Sequence, residues 1–169
     1  MFDACVLGVD PGVAKVGLAV VSRRDRTSEL RWSTTVRTAA GAPEAGRLRT
    51  VAEAVRAAIA EHRPDAVAIE RVAWNRNQVS ALHVARATGA VMVVAAEAGV
   101  AVEEYGPNEV KIAVTGAGDA GKREVQTALI RLHGLHGVPS QPDAADAVAV
   151  ALTHLLGARM RSLSRTGVR

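Results

Sequence analysis

The chain has 169 residues, of which 49% are apolar and 22% charged; this is enough for one compact domain with its own core, and too apolar for a disordered segment. A single cysteine, Cys5, excludes an internal disulfide and a cysteine-based zinc site. The net charge of +4 comes from the C-terminus, where Arg159, Arg161, Arg165 and Arg169 stand without an acid; the rest balances 17 basic against 17 acidic residues, so global charge argues only weakly for DNA.

Residues 4–10 (ACVLGVD) form an apolar run that ends at Pro11-Gly12, the pattern of a buried strand entering a turn. Residues 16–21 (VGLAVV) supply a second strand and residues 30–36 a weaker third, which predicts an antiparallel meander. From Glu44 to His62, Leu48, Val51, Val55 and Ile59 recur at three- and four-residue steps, the signature of a helix with one buried face, and Arg63-Pro64-Asp65 ends it. Residues 66–70 (AVAIE) read as a short strand closing on a carboxylate. A long helix is expected over residues 78–98, where Ala81, Ala85, Gly89 and Ala90 allow close helix packing against the core or against a second subunit.

Residues 100–105 supply a fifth strand, and Gly106-Pro107-Asn108 starts a short helix, since proline is tolerated in a first turn. Residues 116–121 are a glycine-rich loop in which Asp119 can cap a helix running to about His133. The last helix is expected over residues 140–156. No repeat or long linker divides the chain. The expected organisation is a single α/β domain, residues 1–156, with a mixed five-stranded sheet (first three strands antiparallel) flanked by helices, followed by a basic, flexible tail, 157–169. No charged-then-apolar leader and no uncharged apolar run of membrane-spanning length is seen, so a soluble cytoplasmic protein without a membrane partner is expected.

Four carboxylates stand where packing alone does not call for them. Asp10 and Glu70 each end an apolar strand, and ligand sites in α/β folds gather outside strand ends. Asp143 and Asp146 are three apart on one helix and so share a face. Brought together, four such acids repel one another unless a proton or a cation lies among them. Oxygen ligands with no thiolate suit Mg²⁺ or Mn²⁺, and an ion pair of that kind can hold the attacking and leaving oxygens of a phosphodiester. Each acid also has a plainer reading: Asp10 as a turn former, Glu70 as an ion-pair partner of an arginine, Asp143 as half of a capping box with Ser140, and Asp146 as a surface charge.

Taken together, the segments resemble those of the RuvC-type Holliday-junction resolvases. GVDPGVAKVG looks like that family's opening motif, AIERV like its second acidic motif, YGPNEVK with GAGDAGKREV like its segment of two spaced lysines, and DAADAVAVALTH like its C-terminal acidic helix. The match spans about Leu7 to His154. The resemblance implies a ribonuclease H-like fold and a metal-dependent endonuclease that cuts opposed strands of a four-way DNA junction, leaving 5′-phosphates, during recombination and repair. It implies Asp10, Glu70, Asp143 and Asp146 as metal ligands and catalytic acids, with Mg²⁺ as cofactor (two ions per site, Mn²⁺ as a substitute). Lys122 and Lys111 are implied as phosphate or transition-state contacts, Lys122 also as catalytic; Arg123, in the basic glycine-rich loop, is read as a further DNA contact. The implied partners are branched DNA, a second copy of the chain, and a junction-binding and branch-migration complex.

Two departures stand out. The family's aromatic after the second acidic motif falls at Ala73, with Trp74 one position on; beside Asn75, Arg76 and Asn77, Trp74 reads as an exposed base-stacking contact, with Arg76 and Asn77 as further DNA contacts. Thr88 replaces a common arginine. Residues 116–122 also read G-x-x-x-x-G-K, yet Arg123 follows where a phosphate-loop nucleotide site needs Ser or Thr. The five histidines show no metal-ligand spacing. Two further readings stay open: a relative acting on RNA or RNA–DNA hybrids, and a non-catalytic junction-binding module. An actin-like ATPase needs a longer chain.

Overall fold

A computed structural model describes residues 4–25, 27–72 and 78–166. Five strands, β1 (Ala4–Asp10), β2 (Lys15–Arg24), β3 (Thr27–Arg37), β4 (Ala66–Glu70) and β5 (Ala101–Tyr105), form one sheet in the order β3-β2-β1-β4-β5. β1, β2 and β3 are antiparallel, and β4 and β5 run parallel to β1. The helices are α1 (Glu44–His62), α2 (Gln78–Glu97), α3 (Pro107–Thr115), α4 (Lys122–Arg131) and α5 (Pro142–Thr166). This is the mixed five-stranded α/β sheet expected from the residue pattern.

The period of two along each strand divides the core. Leu7 and Val9 of β1, Val16, Leu18 and Val20 of β2, and Val67 and Ile69 of β4 face α1 and α2, where Val51, Val55, Ile59, Val91 and Val94 close the layer. Each such fully buried side chain contributes about 1.5–3 kcal/mol. The alternate residues, Val6, Ala19, Val21 and Ala68, face α5 and the shorter α3 and α4, meeting Val110, Leu129, Ala147, Val150, Ala151 and Leu152. This second face is lined with smaller side chains. Gly8 and Gly17 lie on it, and a methyl group at either would collide with the α5 backbone, at the carbonyl of Ala147 for Gly8 and of Asp143 for Gly17. The two glycines therefore set how closely α5 sits on the sheet.

Several boundaries differ from the sequence reading. β2 and β3 pair out to Arg24 and Thr27, because two strands can extend through charged residues once the pairing is started and the edge faces water. α4 starts at Lys122 and is capped by Gly121, whose N–H donates to Glu124 Oε2 at 2.6 Å, so Asp119 is not its cap. α5 starts at Pro142 and continues to Thr166, past the end expected at residue 156; Ala158, Arg159, Met160 and Arg161 are good helix formers that extend a helix already nucleated. Over Val79–Glu97, α2 is long and apolar enough to cross a membrane, yet Ala87, Val91, Val94 and Ala95 are buried against the sheet side and Arg86 pairs with Glu44 of α1.

Candidate active site

Asp10 and Glu70 are the last residues of neighbouring parallel strands, one step beyond the paired Val9 and Ile69. Strand alternation puts them on the face of Val6, Gly8 and Ala68, which is the face that α5 covers. Gly17 is the cross-strand partner of Asp10, and the Asp143 backbone rests against Gly17. α5 thus carries Asp143 and, one turn on, Asp146 over the ends of β1 and β4. Three elements distant in sequence deliver four carboxylates to one corner of the sheet.

The acids act on one another. Burial, foremost, and then the charges of Glu70 and Asp146 push the Asp10 carboxyl up to about 8, with a hydrogen bond to Glu70 and the charge of Asp143 adding to it. Burial likewise raises Glu70, helped by Asp146 and opposed by the hydrogen bond with Asp10 and by Lys122 and Lys111. Both carboxyls are therefore harder to ionise than free acids, and a proton or a cation among them relieves the crowding. Lys122, the first residue of α4, lays its Nζ 2.8 Å from Asp146 Oδ2, and that hydrogen bond raises the lysine's proton affinity. Among the described residues, no three Asp, Glu, His or Cys side chains stand already arranged to grip one ion. On one side of the cluster the Lys122 ammonium rests against Asp146.

A cleft of roughly 770 Å³ opens beside the acids, lined by Glu70 and Asp146, by Lys111 and Lys122, and by the start of α3 at Gly106, Pro107 and Asn108. Both helix starts are fastened in the same way. Gly106 N–H donates to Glu109 Oε2 at 2.6 Å, as Gly121 does to Glu124. Arg71, next after Glu70, ties the end of β4 to this rim through Glu109 at 3.5 Å and the carbonyl of Glu104 at 3.3 Å. Arg123 lines a smaller neighbouring hollow with Lys122 and Asp146. The structure brings the expected acids and lysines together; the residue pattern did not point to the two spacing glycines, Arg71, Glu109 or Glu124. A glutamate three residues after a helix-starting glycine was the available signal for the last two.

The remaining expectations sort plainly. Trp74, Arg76, Asn77 and Ala73 lie outside the described residues. The glycine-rich loop follows a helix, α3, rather than a strand, which removes the phosphate-loop reading. His154 faces Tyr105, Nδ1 to hydroxyl at 3.0 Å with the rings edge to face, and His133 Nε2 bonds the Val114 carbonyl at 2.8 Å; both are packing histidines. Thr88 is buried, its hydroxyl without a hydrogen-bond partner.

Comparison with known proteins agrees with this geometry. The family model described as "Crossover junction endodeoxyribonuclease RuvC" matches residues 6–154. A crossover junction endodeoxyribonuclease RuvC from Mycobacterium avium is 44% identical over 156 residues, 92% of this chain and 83% of the relative. Another, from Leifsonia xyli, is 40% identical over 163 residues, 96% of this chain and 78% of the relative. Among solved structures, T. thermophilus RuvC in complex with a Holliday junction substrate superposes with a TM-score of 0.87 at 39% identity, covering 93% of this chain and 96% of that one. The yeast mitochondrial Holliday junction resolvase Ydc2, at 10% identity and a TM-score of 0.68, shares the fold. The chain belongs to the RuvC family of crossover junction endodeoxyribonucleases, enzymes that resolve four-way DNA junctions.

Proposed function

We propose that Asp10, Glu70, Asp143 and Asp146 are the metal ligands of this endonuclease and that it cuts the two opposed strands of a junction symmetrically, as a homodimer. The family is one of divalent-metal-dependent nucleases. The donor set fits such an ion: the four side chains offer only carboxylate oxygens, and the crowding that pushes the Asp10 carboxyl up to about 8 marks a place where a positive charge is wanted. Mg²⁺ suits hard oxygen ligands, Mn²⁺ is the expected substitute, and four acids suffice for two ions. When bound, the metal supplies Lewis acidity and activates water at neutral pH.

The chain's own residues do the rest. Burial and the neighbouring acids raise both Asp10 and Glu70, so a cation at this corner competes with protons for their oxygens. Lys111 and Lys122 face the cleft and offset phosphate charge, Lys122 offsetting the charge that grows during cleavage. Arg123 lies close enough to meet an adjoining phosphate, and Trp74, Arg76 and Asn77 are proposed as contacts to the bases and backbone at the crossover. The observation that carries the reading is the convergence of two strand ends and one helix face under α5.

The proposed homodimer has a physical basis in α2. Val79, Leu82 and Val93, at helical spacing on its outer face, are 65%, 49% and 58% exposed, with Gly89 exposed between them. A second copy covering this stripe places two acidic corners on one junction, which paired incision requires. Action in the cytoplasm alongside a junction-binding and branch-migration complex completes the proposal. The test is a labelled four-way junction incubated with Mg²⁺ or with EDTA. Symmetric nicks only with the metal are expected, and cutting of an RNA–DNA hybrid in preference to the junction contradicts the substrate assignment.

A further inference from the structure

Lys122 occupies a position that local preference does not favour. It is the first residue of α4, where the exposed amide N–H groups already concentrate positive charge and a lysine is repelled rather than attracted. Its side chain is 75% exposed, so it could extend into water and keep its rotamers; instead it reaches the 29% exposed Asp146 at 2.8 Å. What draws it there is the crowd of acids behind Asp146. Among the described residues, none of the carboxylates stands in a ready-made trio for an ion while Asp146 is engaged in this way.

We propose that Lys122 is a tethered stand-in cation: it holds Asp146 in the metal-free enzyme, yields it when a divalent ion enters, and is thereby released toward the substrate phosphate. The inference rests on the four acids being the metal ligands. A lysine suits the task because its ammonium is a compact charge on a flexible four-carbon stem, able to leave one oxygen and reach another, whereas the planar fork of arginine clamps a carboxylate with two bonds. Once Asp146 is taken by metal, the ammonium stands at the start of α4, on the wall of the cleft, released from its carboxylate. That arrangement grips an anion. Metal loading and phosphate binding become linked, and the linkage is reciprocal: a phosphate that engages Lys122 also tightens the metal.

Two measurements on the intact protein, neither depending on cleavage, test this. The first is calorimetric titration of Mn²⁺ into the wild type, K122Q, K122R and Asp10→Asn. K122Q, which lacks the competing cation, should bind Mn²⁺ about fivefold more tightly than the wild type, the factor for one modest ion pair. K122R, whose fork holds Asp146 harder, should bind it more weakly. Equal or weaker binding by K122Q would overturn the inference. The second follows the Lys122 ammonium by nitrogen-15 NMR, assigned through its loss in K122Q. A signal that shows a carboxylate hydrogen bond without metal and loses it at saturating Mg²⁺ is expected; a signal unchanged by Mg²⁺ overturns displacement. Failure of the underlying reading looks different, because then wild type and Asp10→Asn bind Mn²⁺ equally or not at all.

Discussion

The two faces of the sheet are built from the same strands and do opposite work. Toward α1 and α2, β1 and β4 present Leu7, Val9, Val67 and Ile69, all large, all buried, and packed to the strand ends. Toward α5 they present Val6, then Gly8 and Ala68 with little or no side chain, and finally Asp10 and Glu70 at the tips. The first face supplies cohesion. The second sacrifices side-chain volume so that a helix backbone can lie on the sheet, and its reward is a helix-borne pair of acids set over two strand-borne ones. One residue of register separates the two, since a slip by one position would exchange a core side chain for a carboxylate.

The largest effect should come from the acidic corner. Asp10→Asn should lower junction cleavage by roughly 10³-fold or more, the order expected when a metal ligand worth about 4 kcal/mol of barrier lowering is lost, while gel-shift affinity for the junction holds. Near-normal cutting by this variant would break the assignment of the corner as the site. Next in size, the faces should respond differently to single-residue changes. Leu18→Ala on the α1–α2 face should cost about 2–5 kcal/mol of stability by denaturant titration, with the cleavage rate of the folded fraction little changed. Gly17→Ala, which forces α5 off its seat, should cost less, about 1–3 kcal/mol, yet reduce that rate more than tenfold. If both variants lose rate and stability in the same proportion, the division of labour is wrong.

A smaller effect concerns pH. Asp10 binds its proton more tightly folded, to about 8, than in the unfolded chain, where the ordinary value of 3.8 applies. Between these values the metal-free native state holds a proton that the unfolded state has lost, so this corner's contribution to stability is greatest at the acid end and declines as pH rises to about 8. Asp10→Asn should flatten that decline and raise the Tm of the metal-free protein at pH 8 by at least ~3 °C. The raised Glu70 acts in the same direction. Calorimetric scans across the pH window, with and without Mg²⁺, check both the slope and its disappearance when metal replaces the proton. Smallest in its effect on the chemistry itself, Val93→Arg on α2 should abolish the proposed dimer, leaving a monomer by analytical ultracentrifugation, while each corner still binds Mn²⁺.

Much of this was legible from residue order. The period of two brings Asp10 and Glu70 to strand ends, and the period of 3.6 puts Asp143 and Asp146 on one helix face. The meander and the alternation after it led to the right sheet. What was hidden depends on contacts between segments far apart in sequence. Gly8 and Gly17 look like ordinary strand residues until α5 lies across them. The bond from Lys122 to Asp146 spans 24 positions and follows from the seating of α4 beside α5. Asp119 looked like a helix cap, but the Gly121–Glu124 pair met the free N–H nearer the helix start. The end of α5 was misplaced because Gly157, a weak breaker, is outweighed by the helix-forming residues around it.

The proposed chemistry depends on β1, β4 and α5 bringing their carboxylates together around bound divalent metal. Anomalous diffraction from crystals soaked in Mn²⁺ tests it most directly. Ion density between Asp10, Glu70 and Asp146, with the Lys122 ammonium moved off Asp146, is the expected result; ordered Mn²⁺ elsewhere, or an acidic corner empty at saturating metal, refutes it.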